Sequence, residues 1–416
     1  MNAPTTAITA EDRTRLRELA RRVGEIAALP VQAERRELWI RQNRLERTRP
    51  LVLVFPEGSE RELLPPSILE CEGDRARRFE YSLRRRVYFF EHLHDDKPVE
   101  NEWIVYKAVR NSGWGLEPKW IHSDDPLGAR KFDPVLSGPA DLEKLKLPKV
   151  EYDPDATERN LAEAEALFGD ILDVRLKGVS SVTFHPMRLL SDLRDLGNLM
   201  MDMAANPGFV HDAMAIFEAG YRGLVEQYVE LDLLDLNNDS TYNCSGGVSY
   251  TDQLPAADFD GEHVRPRDMW SFAEAQELAL VSPEMHEEFA LQYERRLLAP
   301  FGLNTYGCCE DLTRKLDYVL AIPNIRRLSI SPFADVAACA ERLEDNYIIS
   351  WKPHPAHLVG DFSPEKIRAY TRAALDATRG CVIEMVLKDT HTCEHHPERF
   401  TIWTDIAQEL AAEYAE

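Results

Sequence analysis

The feature that most constrains this chain is a repeating alternation of short apolar segments with amphipathic helical stretches. The apolar segments are LVLVF at residue 51, WIVYKAV at 103, SSVTF at 180, LLDLN at 233 and LNTYG at 303, then RRLSIS at 326, NYIISWK at 346 and CVIEMVLK at 381. The last three follow at short spacing, with helical patterns over 335–343 and 364–378 between them. Strands that alternate with helices predict parallel βαβ units, and eight such strands predict a (β/α)8 TIM barrel. The main rival is a doubly wound open sheet. Neither GxGxxG after the first strand nor GxxxxGK[ST] occurs, which weakens its two common nucleotide-binding forms. Residues 1–49 carry Arg-rich helical patterns and are expected to form an N-terminal helical arm, leaving 50–416 as the barrel. The arm is expected to pack on the body or to join two copies as a homodimer, since long Arg side chains cover apolar surface while keeping their charge in water.

The net charge is −23 over 416 residues, which opposes docking on nucleic acid or an anionic membrane. A small molecule or a protein is the expected partner. No apolar run is long enough to span a bilayer and the first residues lack a signal-peptide core, so the expected location is the cytoplasm. The seven cysteines, Cys71, Cys244, Cys308, Cys309, Cys339, Cys381 and Cys393, are odd in number and lack the density of a disulfide scaffold. They read as thiols or ligands, with Cys339 and Cys381 as packing residues.

A barrel of this kind places its chemistry where strands end and loops begin. Asn238, Asp239, Tyr242 and Cys244 follow LLDLN; Cys308, Cys309 and Glu310 follow LNTYG; His354 and His357 follow IISWK; Asp389, His391 and Cys393 follow CVIEMVLK. Thiolate and imidazole together suit zinc in a near-tetrahedral site. The expected ligands are Cys308, His391, Cys393 and Glu310, with Cys309 as a substitute. Glu310, Tyr306 and Asp389 are the candidate catalytic groups. Asn238, Asp239, Tyr242, His185, Lys352, His354 and Lys388 are the candidate substrate contacts, and the two lysines are expected to pair with Glu384 and Asp389.

From about residue 180 onward the chain resembles the uroporphyrinogen decarboxylase superfamily, in its zinc- and corrinoid-dependent methyltransferase branch. The resemblance rests on PEMHEEFALQY and the helix that follows it, NTYGCCED, SPFAD, SWKPHPAHL and the closing MVLKDTHTCEHHPERFTIWTDIA. Two departures accompany it. Where the decarboxylases carry a string resembling RQAGRY that grips porphyrin carboxylates, this chain has LVLVFPEGSE. Where the methyltransferases carry His-x-Cys, Cys308 matches the Cys but Tyr306 stands in the place of the His. The second family cysteine falls near Cys393, and the missing ligand would come from His391, Glu310 or Cys309, in that order.

The resemblance implies methyl transfer between a small methylated or methoxylated molecule and a corrinoid. No DxHxxG string is present, so the cobalamin would arrive on a separate protein. Zinc would activate a thiol or act as a Lewis acid on a methyl ether. The alternatives are a decarboxylase-type lyase on the same scaffold and a non-catalytic binding barrel.

Overall fold

The computed structural model describes residues 8–122, 130–242 and 245–415; Cys244 lies outside them. Seven strands form one sheet in which every pairing is parallel: β1 (Leu51–Val54), β2 (Thr183–Phe184), β3 (Trp270–Ala273), β4 (Leu303–Tyr306), β5 (Ile325–Ile330), β6 (Ile348–Trp351) and β7 (Val382–Leu387). Their order is β1-β7-β6-β5-β4-β3-β2. β1, β3, β4, β6 and β7 are buried at every residue. Such unbroken burial belongs to parallel sheets covered on both faces and explains why these segments read as apolar runs rather than alternations.

The expected strand set needs correction. WIVYKAV does not enter the sheet: Glu102–Tyr106 pairs in parallel with Asp173–Lys177, and Ala108–Asn111 pairs antiparallel with Val150–Asp153. Its alternating burial marks a strand with one covered face. Conversely, WSFA at 270–273 is a central strand. It is only four residues long and follows a polar loop, which hides it in the sequence.

LLDLN supplies a bridge, Val179 to Leu234, rather than a ladder. Asn237 completes the link through its side chain: Nδ2 donates to the carbonyls of Ser180 and Trp270, and Oδ1 accepts from the Trp270 N–H. Among the described residues β1 and β2 share no ladder, so the hydrogen bonding of the sheet is open where a closed eight-stranded barrel was expected.

The helices α1 (Ala10–Ala27) and α2 (Pro30–Asn43) precede β1. A capping box between Thr9 and Asp12 starts α1. Its buried Leu16, Ala20 and Val23 share a helical face and join a cluster with Ala76 and Leu83 of the Asp74–His92 helix. The end of α2 reaches into the sheet. Gln42 Nε2 donates to Glu384 Oε2 at 2.7 Å, and Asn43 Oδ1 accepts from Arg327 Nη2 at 2.5 Å. Arg327 and Glu384 are fully buried, with Nε and Oε1 3.2 Å apart in ion-pair contact. They lie on β5 and β7 and reach each other across β6. The last helix, Glu398–Glu413, buries Phe400, Trp403, Ala407 and Leu410 in the main core. Among the described residues, no helix is long and apolar enough to cross a membrane.

Candidate active site

Because the strands are parallel, their C-terminal ends share one edge of the sheet, and the reactive side chains gather there. β4 ends at Tyr306, and Gly307 turns the chain at φ +90°, where a Cβ would meet Leu312 Cδ1 at 2.7 Å. The turn presents Cys308, Cys309 and Glu310. β7 ends at Leu387 and presents Lys388 and Asp389. Asp389 holds φ at +59°, a conformation uncommon outside glycine, and its N–H donates to Glu57 Oε2 at 2.7 Å in the loop after β1.

Cys308 is the centre of this arrangement. Its sulfur lies 3.4 Å from the Cys309 sulfur and 4.0 Å from Lys388 Nζ, while Cys309 Sγ lies 3.6 Å from Asp389 Oδ2. Both cysteines are free thiols. The hydrogen bond from Cys309 does most to bring the Cys308 thiol down to about 6; burial opposes it, and the Lys388 charge and the Ser245 hydroxyl assist. Cys309 moves upward, because it is the proton donor to its neighbour and is itself partly buried. At neutral pH the pair is therefore one thiolate and one thiol. Lys388 also lies 3.6 Å from Asp389 Oδ1 and 3.9 Å from Glu57 Oε1.

A layer of buried carboxyl groups lies beside the thiolate. Glu274, directly after β3, accepts from the Gln276 N–H at 2.9 Å and shares a 2.8 Å contact with His185 Nδ1 after β2. Glu310 Oε2 accepts from the Cys308 N–H at 2.8 Å, while its buried Oε1 has no partner among the described residues. Burial, then the charge of Glu274, pushes Glu310 up to about 7. The same two causes push Glu277 up to about 8. Tyr306 lies deeper, 2.7 Å from Glu294 Oε2 and 2.8 Å from His286 Nε2. Burial raises Glu294 far above the usual carboxyl range, and burial with the nearby Lys315 lowers His286 to about 3. All three side chains are thus neutral around pH 7, and Tyr306 is a core residue under the site.

The expected zinc ligands are only partly assembled. Cys308, Cys309 and Glu310 are adjacent, but Cys393 is fully buried in the main core with its sulfur 3.1 Å from Glu62 Oε2. His391 is exposed, and its carbonyl accepts from Arg61. Among the described residues no group of three or more His, Cys, Asp and Glu side chains is placed to hold a metal ion. The donor set as it stands does not fit zinc.

The other candidate residues divide. Lys388 pairs with Asp389 as expected, whereas Lys352 Nζ donates to the Ser350 carbonyl at 2.9 Å and hydroxyl at 2.8 Å, and Glu384 pairs with Arg327. Burial lowers Lys352 to about 7. Asp239 accepts from Lys177 Nζ at 2.6 Å, and Asn238 donates to the Leu254 carbonyl at 2.8 Å, so both are committed to the fold. Tyr242 packs on Phe55 at 4.3 Å between ring centres. His354 caps a short helix by accepting from the Ala356 N–H. Glu274, Glu277 and Glu57 were not foreseen; recognising β3 as a strand would have exposed Glu274 by its place just past the end.

No family model matches the chain, and no curated protein matches it. Among solved structures, it is similar to a methyltransferase from Methanosarcina mazei, with 11% identity, a TM-score of 0.48, and coverage of 89% of this chain and 97% of that chain.

Proposed function

We propose that the chain is a methyl-transferring enzyme in which the Cys308 thiolate receives the methyl group of a small methylated or methoxylated molecule. The observation that carries this reading is the contact of Cys308 with Cys309 and Lys388 at the C-terminal ends of the parallel strands. A thiolate held by a thiol donor and an ammonium is a ready nucleophile.

In the step, Cys308 Sγ attacks the methyl carbon. The S–C bond forms, the bond from carbon to the leaving oxygen breaks, and its electron pair stays on that oxygen. Glu310, whose pKa of about 7 leaves it partly protonated, gives the leaving oxygen a proton and becomes a carboxylate. Lys388 holds the thiolate beforehand and is left to Asp389 and Glu57 afterwards. The step as written runs on Cys308, Glu310 and Lys388 alone. A corrinoid on a separate protein, docked at the same strand ends, would supply the second methyl carrier when bound. The same proposal takes residues 50–416 as a (β/α)8 barrel completed by the segment around Leu234, and residues 1–49 as an arm that also joins a homodimer.

The test is incubation of the purified chain with candidate methyl donors and a corrinoid protein, reading the corrinoid spectrum and the peptide mass at Cys308. Methylated Cys308 that passes its label to the corrinoid, and loss of both signals in Cys308→Ser, support the reading. Undiminished methyl transfer by Cys308→Ser, or release of carbon dioxide with no methyl transfer, would refute it.

A further inference from the structure

Cys308 and Cys309 are neighbours in space as well as in sequence, half-buried, with their sulfurs 3.4 Å apart. The methyl transfer proposed above uses only the first of them, and uses Asp389 only as a partner for Lys388. Yet Asp389 Oδ2 lies 3.6 Å from the Cys309 sulfur as a hydrogen-bond acceptor. A thiolate, a thiol in contact with it and a carboxyl group placed to take that thiol's proton therefore stand in line. The other described cysteines have no such surroundings. Cys71, Cys339 and Cys393 are buried, and burial pushes Cys339 and Cys393 up to about 11 and Cys71 up to about 12. Cys381 is half-buried and raised by the same cause, and its sulfur faces the Ala340 carbonyl.

We infer that Cys308 and Cys309 are a site of reversible oxidation by hydroperoxides, in which Cys308 is oxidised first, Cys309 closes a disulfide onto it and Asp389 is the base for the closure. In the first step Cys308 Sγ attacks the terminal peroxide oxygen. The S–O bond forms, the O–O bond breaks, sulfur gives up two electrons, and the departing hydroxide or alkoxide takes a proton from solvent. In the second step Cys309 gives its proton to Asp389 and its sulfur attacks Cys308 Sγ. The S–S bond forms, the S–O bond breaks, and the hydroxide takes the proton back from Asp389 and leaves as water.

The first step prepares the second. The proton of Cys309 is held chiefly by its hydrogen bond to the Cys308 thiolate, with burial and the thiolate charge adding to this, while Lys388 acts against it. A neutral sulfenic acid at Cys308 removes the charged acceptor and leaves Lys388 to favour the Cys309 thiolate. The product is strained, because consecutive Cα atoms are about 3.8 Å apart across a trans peptide, closer than the roughly 4.4–6.8 Å of ordinary disulfides. Strain makes such a bond readily reduced, so a small thiol restores the pair. The oxidised pair has no thiolate to accept a methyl group; this consequence rests on the function proposed above, whereas the oxidation does not.

The test is one equivalent of hydrogen peroxide added to the reduced full chain, read by the mass of the tryptic peptide 297–314, which carries both cysteines. The peptide should lose both thiol hydrogens and regain them with dithiothreitol. Cys309→Ser should instead accumulate the Cys308 sulfenic acid, captured by dimedone, and Cys308→Ser should leave Cys309 reduced. Asp389→Asn keeps a residue that tolerates the positive φ of this position. It should form the sulfenic acid as the parent chain does but close the disulfide about 100-fold more slowly, the lower end for loss of a positioned base. Oxidation of Cys308 to the sulfinic acid without a disulfide in the parent chain, unslowed closure in Asp389→Asn, or peroxide consumption by Cys308→Ser at the parent rate would each overturn the assignment. If Asp389→Asn does not fold, the parent peptide mass decides. A parent chain that forms the disulfide but transfers no methyl group when reduced refutes the function proposed above and leaves this site standing.

Discussion

The ammonium of Lys388 sits 4.0 Å from the sulfur of Cys308, although their strands, β7 and β4, are separated in the sheet by β6 and β5. Three strand spacings amount to about 14 Å in a flat sheet. The contact therefore depends on curvature, which turns the strand ends toward a common centre. Reactive groups far apart in sequence thereby share one edge of the fold.

Cys309 is expected to hold Cys308 in its thiolate form. In Cys309→Ala the pH at which Cys308 alkylation is half-maximal should move upward from about 6 by at least about one unit, a tenfold change in the ionisation equilibrium. Lys388→Met should move it in the same direction by less. Alkylation rates measured against pH for both variants check the order.

Glu310 makes stability depend on pH. Its folded pKa of about 7 lies above the ordinary 4.5, so the folded chain binds a proton that the unfolded chain has lost between those values. Its contribution is therefore fully present below about pH 4.5 and is lost as pH rises through about 7. Glu310→Gln should raise the melting temperature at pH 8 by a few degrees and change it little at pH 4.5, because the amide keeps an acceptor for the Cys308 N–H without the buried charge. Melting curves at the two pH values decide this.

Much of the fold was legible because buried parallel strands leave apolar runs, and six of the seven sheet strands stood among the segments expected. Trp270–Ala273 was obscured by its length and polar approach, and Glu102–Tyr106 resembled a sheet strand until its alternating burial was seen. Cys308, Glu310, Lys388, Asp389 and His185, picked out by their place after strand ends, do lie at one edge of the sheet. The same rule misplaced Cys393, since spacing along a loop does not show that Glu62 and the core capture its thiol. Glu57 and Glu277 depend on chain reversals that sequence periodicity does not encode.

Arg327 and Glu384 form a pair whose members need each other. Removing one charge leaves the other buried, and Glu384→Ala should destabilise the chain by about 3–5 kcal/mol in denaturant unfolding. Replacing both with apolar residues of similar volume should cost much less. Equal losses in the single and double variants would contradict a paired role.

Glu62 anchors the loop that follows β7. Burial tends to raise its pKa, but hydrogen bonds from the Thr392 hydroxyl, the His395 N–H and the Cys393 thiol outweigh it and lower it to about 2. Its contribution is present above about pH 4.5 and lost as pH falls through about 2. Glu62→Gln should cost about 1–2 kcal/mol at pH 7, after allowance for partial exposure. Cys393→Ser should lower stability while leaving the alkylation profile of Cys308 unchanged.

The most direct measurement of the central claim is the residue-resolved rate of iodoacetamide modification as a function of pH, read by peptide mass on the parent chain. Cys308 should react first, with half-maximal rate near pH 6, while Cys309 stays unmodified until Cys308 is blocked. Half-maximal reactivity of Cys308 near 9, as for an ordinary thiol, or equal modification of both cysteines at pH 7, would contradict the thiolate at the heart of the proposed reaction.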